Sequence, residues 1–470
     1  RIKVDSNGLY VNGTLLGGAA LEMDFVASGT LPNGKSVILN SDGTVTVVEV
    51  VAASAGSAAT TVAGNDGSVA KLSDTTFVMV GNTSSGAAAW LGTVSGGSIS
   101  FGSSTVWGGG TEQYVDNVTA ISATQFVVAY GDYGNSNRGK AVVGTVSGGS
   151  ISFGTVVTFE TGQTSPNHGG SIIALSSTKV VIVYEDASNS SYATAIVGTI
   201  SGTSISFGTA TVFNSANSSK FSIVDKLTST SVIICYSETP SPNPEKGKAL
   251  VGTISGTSIS FGSQVTYETA RTIRHTVSVL TPTTFVISYQ YDRIGTMIGK
   301  SVVGTISGTT ITMGSPVTFY ASSLANQFFA SERISDTEFA IAWKGDSGYG
   351  TLIFGTVSGT SISFEASAVF YSASVAGEPV TPILLGDSDL VIGFDATLHS
   401  AVDYTLETIN LTATNFVGTS TAAYTNGETA TIVLQGGVST NQSSLTIGST
   451  FYVQTDGTLA TTADSVVTVV

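Results

Sequence analysis

The chain has 470 residues, of which 41% are hydrophobic and only 10% charged, with 55 glycines, a single cysteine and a formal net charge of −15. Its 17 basic residues offer no stripe for wrapping nucleic acid, since phosphate binding needs clustered cations, and no run of about 18 apolar residues is there to cross a membrane as a helix. One cysteine cannot close an internal disulfide, so Cys235, inside the apolar run Val232–Tyr236, reads as a small buried hydrophobe.

Residues 1–43 form an N-terminal β segment. It opens on Arg1 without a charged-then-apolar leader, which reads as a processed product or a fragment. Within it, Val37–Thr44 places Asp42-Gly43 between apolar runs. This is a hairpin signal, because glycine tolerates the positive φ a tight turn demands. Thr44–Val50 then alternates as a strand.

From about residue 61 one phrase returns seven times, at Leu72–Phe77, Ile121–Phe126, Leu175–Val180, Leu227–Val232, Leu280–Phe285, Ile334–Phe339 and Leu385–Leu390. A second phrase, Gly-Thr-Val/Ile-Ser-Gly, follows in six units, beginning at Gly92, Gly144, Gly198, Gly252, Gly304 and Gly355. Each is followed by an alternating segment such as Ser150-Ile-Ser-Phe153. Period-two alternation around Gly/Ser/Thr turns reads as hairpins, two per unit and hence four strands. Seven such units predict an all-β, seven-bladed β-propeller of four-stranded blades over residues 44–418. The blades are expected at about 61–107, 108–160, 161–213, 214–267, 268–320, 321–371 and 372–418.

Blade seven has Tyr404-Thr-Leu-Glu-Thr-Ile-Asn-Leu411 where the others have the Gly-Thr-x-Ser-Gly turn, so its outer strand must come from elsewhere. Residues 44–50 are the expected ring-closing strand, with Asn410–Val417 as the alternative. Residues 419–470 form a C-terminal β segment whose Phe451–Thr458 echoes Val37–Thr44. The two flanks are expected to build one small accessory β-domain beside the propeller.

The flank phrases Gly8–Gly13, Asn40–Thr44 and Gly448–Thr458, with the Gly-Thr-Val-Ser-Gly-Gly-Ser-Ile-Ser-Phe repeats, resemble bacteriophage virion proteins of the tail-fibre or receptor-binding type. The resemblance implies a particle-surface appendage that meets a host cell-surface glycan or protein, touches other virion proteins and is compatible with a homo-oligomer. It carries no functional residue onto this chain.

The turns between first and second strands, and between third and fourth, are short and uniform. The loops on the other rim vary, and binding residues concentrate on variable loops held by a rigid scaffold. Second strands run into Asp132, Asp186, Glu238, Asp292, Asp346 and Asp395 there, and the loops entering first strands add His168, Arg274 and His275. Such a ring of polar groups suits sugar hydroxyls or a cation. Tyr133, Tyr192, Tyr291 and Tyr349 are the rings expected to be exposed beside it, while Phe101, Phe153, Phe207 and Phe261 recur at one fourth-strand position and belong to packing. Asp132, Asn135 and Asn137 are the nearest approach to a Ca²⁺ loop, without the EF-hand spacing or its distal Glu. His168, His275 and His399 lack metal-ligand spacing, and no nucleophile elbow occurs. The expectation is a non-enzymatic binding module without an obligatory cofactor. A decoration or filament subunit and a polysaccharide-degrading enzyme are the alternatives.

Overall fold

The computed structural model describes the chain apart from residues 1, 6–7, 12–13, 16–21, 41, 49, 52, 62–63, 108–112, 165–169, 240–244, 294–295, 323–328, 346–347, 376–379, 387, 396–398, 407, 410–415, 435–451, 454–458 and 461–470. Each repeat folds as one antiparallel sheet. In the second, Gln113–Ser122, Gln125–Asp132, Arg138–Ser147 and Ser150–Phe153 pair in chain order, and Val157–Gln163 pairs again with the third strand. The fourth strand is thus one line broken at Gly154, whose N–H donates to the Val143 carbonyl at 2.9 Å. The same order recurs in the sheets that begin at Gly64, Ser171, Ser218, Thr272 and Phe329. Every first strand packs against the first strand of the next sheet, and that of the seventh, Val380–Leu385, against that of the first. This closes a seven-bladed β-propeller.

The repeat phrases explain the packing. Second strands are apolar on both faces because each face meets a different blade. Val127 and Ala129 lie with Ile172, Ile182 and Ile196 of blade three, whereas Phe126, Val128 and Tyr130 lie with Val78, Val80 and Ala89 of blade one. The first glycine of Gly-Thr-x-Ser-Gly makes room: Gly144 sits opposite Phe126, and a Cβ there would stand 2.2 Å from its ring. The last glycine makes the turn, as Gly148 does at φ 57°. Fourth-strand aromatics stack between blades as expected: Phe153 lies 4.9 Å from Trp107 of blade one, and Phe261 5.4 Å from Phe213 of blade three. Such ring pairs add about 1 kcal/mol each beyond their buried area. Cys235 is fully buried, and burial raises its thiol pKa.

Blade seven supplies three strands of its own, Val380–Leu385, Asp389–Asp395 and His399–Thr405. The fourth comes from the N-terminal side, but as Ser54–Ala55 and Ala59–Thr60, not Thr44–Val50. Val45–Val47 pairs instead with Ser36–Leu39 across the Asp42-Gly43 turn, and Phe416–Ser420 lies in that sheet too. Gly56 decides the difference. In blades one to five a fourth-strand glycine donates its N–H to the carbonyl of Leu91, Val143, Val197, Val251 or Val303, and Gly56 donates to the Asp403 carbonyl at 2.8 Å. Ser54-Ala-Gly56 therefore stands where blades one to four have Ser-Phe-Gly. The ring unit spans Ala55–Thr405, which leaves 44–54 and 406–418, read from the sequence as ring, to the other compact unit.

That second unit joins both flanks in one sheet, in the order Glu22–Val26, Thr429–Leu434, Phe416–Ser420, Ser36–Leu39, Val45–Val47. A bridge from Ala27 to Val45 curls the sheet toward closure over Leu31, Val37, Val45, Ala430 and Ile432. Gly43 turns at φ 84°. The Asp42 carboxylate accepts from the Thr44 N–H (3.0 Å) and hydroxyl (2.7 Å), which hold its pKa below the ordinary value. Tyr452–Val453 and Leu459–Ala460 pair antiparallel, and the Asp456-Gly457 turn read between them lies outside the described residues.

Candidate functional site

Gln113 pairs with Asp132, and Ser218 with Thr239, so the starts of first strands and the ends of second strands share one rim, as the alternation predicts. The acids there are not bare. Lys140, Lys248 and Lys300 occupy one position of the third strand, opposite Tyr130, Tyr236 and Tyr289. Lys140 is ion-paired with Asp132. Lys248 Nζ lies 3.4 Å from Glu238, and Lys300 Nζ lies 3.6 Å from Glu268 of the preceding blade and 3.4 Å above the Tyr291 ring. Asp292 lies 3.7 Å from Arg271, whose Nε donates to Glu245 at 2.7 Å, and Lys220 stands 3.8 Å from the same Glu245. Asp186 accepts from the Asn189 N–H at 3.1 Å, and burial and then Glu160 raise its pKa. Three of the six expected acids, Asp132, Glu238 and Asp292, are thus held in ion pairs, two of them because the repeat places a lysine beside the acid.

Two of the four tyrosines read as exposed are so, Tyr133 at 47% and Tyr349 at 40%. Tyr192 and Tyr291 are partly buried instead, Tyr291 under the Lys300 ammonium. Arg274 and His275 lie inside the first strand of blade five, Thr272–Thr281, not in the loop before it; a bulge there holds Arg274 at φ 51°. His275 is buried, and desolvation lowers its pKa to about 3. Its Nδ1 accepts from the Tyr267 hydroxyl at 2.5 Å and its Nε2 donates to Ser237 Oγ at 2.8 Å, which in turn donates to the Thr272 carbonyl at 2.6 Å. A serine that accepts a hydrogen bond from the imidazole and donates its own to a backbone carbonyl is a structural link, not a nucleophile activated by that imidazole. His168 and Asp346 lie outside the described residues, and Asp395 is placed only as the end of its strand.

Tyr133–Asn135 form a 3₁₀ turn after Asp132, followed by Ser136 and Asn137 in the left-handed region. Asn137 is buried, and its carbonyl accepts from the N–H (2.9 Å) and hydroxyl (2.7 Å) of Thr164. No group of three His, Cys, Asp or Glu suited to a metal occurs among the described residues. A gap between blades two and three, about the size of one water molecule, is lined by Tyr130, Gly131, Phe159, Thr164, Gly170 and Tyr184, and both tyrosines are buried. At its side the Tyr184 hydroxyl donates to Glu160 at 3.0 Å. Burial and the neighbouring carboxylates raise the pKa of both tyrosines, so both hydroxyls stay protonated donors at neutral pH.

The innermost strands hold a second group that the rim reading missed. Asp225 in blade four accepts from the Val279 N–H of blade five at 2.9 Å, and Glu332 in blade six from the Leu384 N–H of blade seven at 3.5 Å. Burial raises Asp225 to about 6; burial and then the Asp225 charge raise Glu332 to about 8. The signal lay in comparing units: two places before the repeated Leu/Ile the other five have Ala70, Thr119, Ile173, Ser278 and Ile383. The partners Lys140, Lys248 and Lys300 were legible the same way, each following a glycine at one repeat position.

No protein-family model matches this chain. No curated protein matches it either. Among solved structures it is similar to a lectin from Burkholderia pseudomallei, at TM-score 0.52 and 9% identity over 74% of this chain and 97% of that one. It is also similar to the Aleuria aurantia lectin (TM-score 0.40, 12% identity, 66% and 95% covered) and to an α-L-arabinanase from Penicillium chrysogenum (0.40, 11%, 60% and 89%). At these identities the likeness bears on the fold alone.

Proposed function

We propose that this propeller is a non-enzymatic carbohydrate-binding module that meets its sugar on the variable-loop rim, at the exposed ring of Tyr133. Two exposed rings carry the reading: Tyr133, in the turn that follows the Gln125–Asp132 strand, and Tyr349 present their faces to solvent, where sugar C–H groups can stack. The fibre-like flank phrases support placing the module on a virus particle, with host-surface polysaccharide as its ligand and other virion proteins as neighbours. The test is a glycan array and whole-cell binding with the full chain. A defined set of host glycans is expected to be retained, and Tyr133→Ala is expected to weaken binding about tenfold or more, the loss of one stacking ring. Retention of no glycan and no cell surface sinks the proposal.

Asp225 and Glu332 favour a second reading, a polysaccharide hydrolase. Two carboxyls of unlike proton affinity are the requirement for acid and base roles, with Glu332 as the protonated acid. Under that reading host polysaccharide shortens on incubation and Glu332→Gln abolishes the shortening. Under the first it binds and stays intact.

A further inference from the structure

The seam where the ring closes carries a buried acid at a third-strand position where none of the other blades has one. Asp403 occupies the third-strand position filled by Leu91, Val143, Val197, Val251, Val303 and Phe354 in blades one to six. It is 1% exposed, and among the described residues neither carboxyl oxygen has a hydrogen-bond donor. An ionised carboxylate so placed is costly, which the apolar residues of the other blades avoid. On the adjoining strand Asp389 is the acid beside it, held by the Ser388 hydroxyl at 2.9 Å. The backbone carbonyl of the same Asp403 takes the Gly56 N–H that fastens the closing strand.

We propose that Asp403 and Asp389 form a proton-operated latch on the ring seam: a shared proton holds the closing strand to blade seven, and loss of that proton loosens it. With the proton on Asp403, its O–H donates to the Asp389 carboxylate and the pair carries one charge. Without it, two carboxylates face each other in an apolar wall. Burial and then Asp389 lift Asp403 to about 6, so the exchange falls near neutral pH. Among the described residues the surrounding elements supply no counter-charge of their own. The closing segment Ser54–Thr60 has no titratable residue. On the blade-one side, where Val391 and Ala401 pack against Phe77, Met79 and Val94, the charged groups of the adjacent turn, Lys71 and Asp74, are paired with each other at 2.9 Å. Tyr404 and its neighbour Glu365 belong to the opposite face of the strand.

Folded-state Asp403 binds its proton more tightly than an unfolded aspartate, so the latch is fully set below about pH 4 and is lost as pH rises through about 6. Amide exchange of Gly56 and Ala59 in the full chain, corrected for the intrinsic rate, reads this directly. Between pH 5 and pH 7 the opening of the seam is expected to increase about tenfold. Asp403→Asn keeps a neutral donor toward Asp389 and is expected to flatten that dependence; Asp389→Asn, which removes the facing charge, is expected to shrink it and serves where the first variant does not fold. Thermal unfolding of the same proteins checks that each retains the ring. An unchanged tenfold rise in a folded Asp403→Asn overturns the proposal, as does an absence of any rise in the natural chain. Restoration of wild-type protection at pH 7 by Ca²⁺, reversed by EDTA, also overturns it in favour of a bound cation.

Discussion

Replacing Gly56 by valine is expected to open the ring. A Cβ at this position stands 2.5 Å from the Gly97 carbonyl oxygen of blade one and 3.1 Å from that of Asp403, so both walls of the pocket are backbone and neither turns aside. The closing strand must back away, which strains the seam and gives up the Gly56 to Asp403 hydrogen bond. Overpacking of about 1–3 kcal/mol and a lost buried hydrogen bond of about 1 kcal/mol sum to a large share of a domain's net stability. Thermal unfolding should show a clear drop in midpoint, and the third strand of blade seven, now an unpaired edge, should drive association on gel filtration. Truncation separates the closing strand from what precedes it. Removal of residues 1–50 leaves Ser54–Thr60 to close blade seven, whereas removal of 1–60 does not. Equal behaviour of the two truncations in an otherwise folded ring would show that closure lies elsewhere.

The second large effect is a loss of stability as pH rises from mildly acidic to mildly alkaline. Glu332 and Asp225 both bind protons more tightly in the folded ring than in the unfolded chain, at about 8 and about 6. The stability they contribute is complete below about pH 4 and is lost as pH climbs through those two values. Each unit of raised pKa corresponds to about 1.4 kcal/mol, so the loss across this window amounts to several kcal/mol. A melting series from pH 4.5 to 8.5 should peak near the acid side. Glu332→Gln, which fixes the neutral state, should remove most of the fall above pH 7. A Glu332→Gln curve that falls as steeply as the natural one would refute the assignment.

Much of this was legible because the repeats are short-range. Gly144 opposite Phe126, Gly148 in its turn and Phe153 against Trp107 are consequences of spacing within one unit or between two adjacent ones. Closure was read on the correct side of the chain and at the wrong segment. Thr44–Val50 has the better β pattern, but its Val45 and Val47 had a nearer partner across Asp42-Gly43, and local hairpins form at small entropic cost. Ser54-Ala-Gly56 looks like linker because Ala55 stands where five of the other blades carry phenylalanine and blade five carries Met313. The rim site was harder. Whether Asp132 meets a ligand or Lys140 depends on which cross-strand neighbour sits one diagonal away, and that requires the register. His275 was misplaced for a related reason: a two-residue bulge turned it inward, and nothing in Arg271–Thr276 marks it.

The borrowed strand of blade seven also sets a schedule for biosynthesis. Blades one to six pair residues close in sequence, so each is free to form as soon as it leaves the ribosome. Ala59, made before any of them, has to wait for Ala401. At about 5–20 residues per second that interval lasts tens of seconds, during which Ser54–Thr60 travels as a loose end ahead of a half-built ring. Such long-range closure is slow by its topology, and in that interval a neighbouring chain on the same message can offer the same acceptor strand. Swapped dimers and open chains of rings are therefore the characteristic misassembly of this architecture, and they should increase with the density of ribosomes on the transcript.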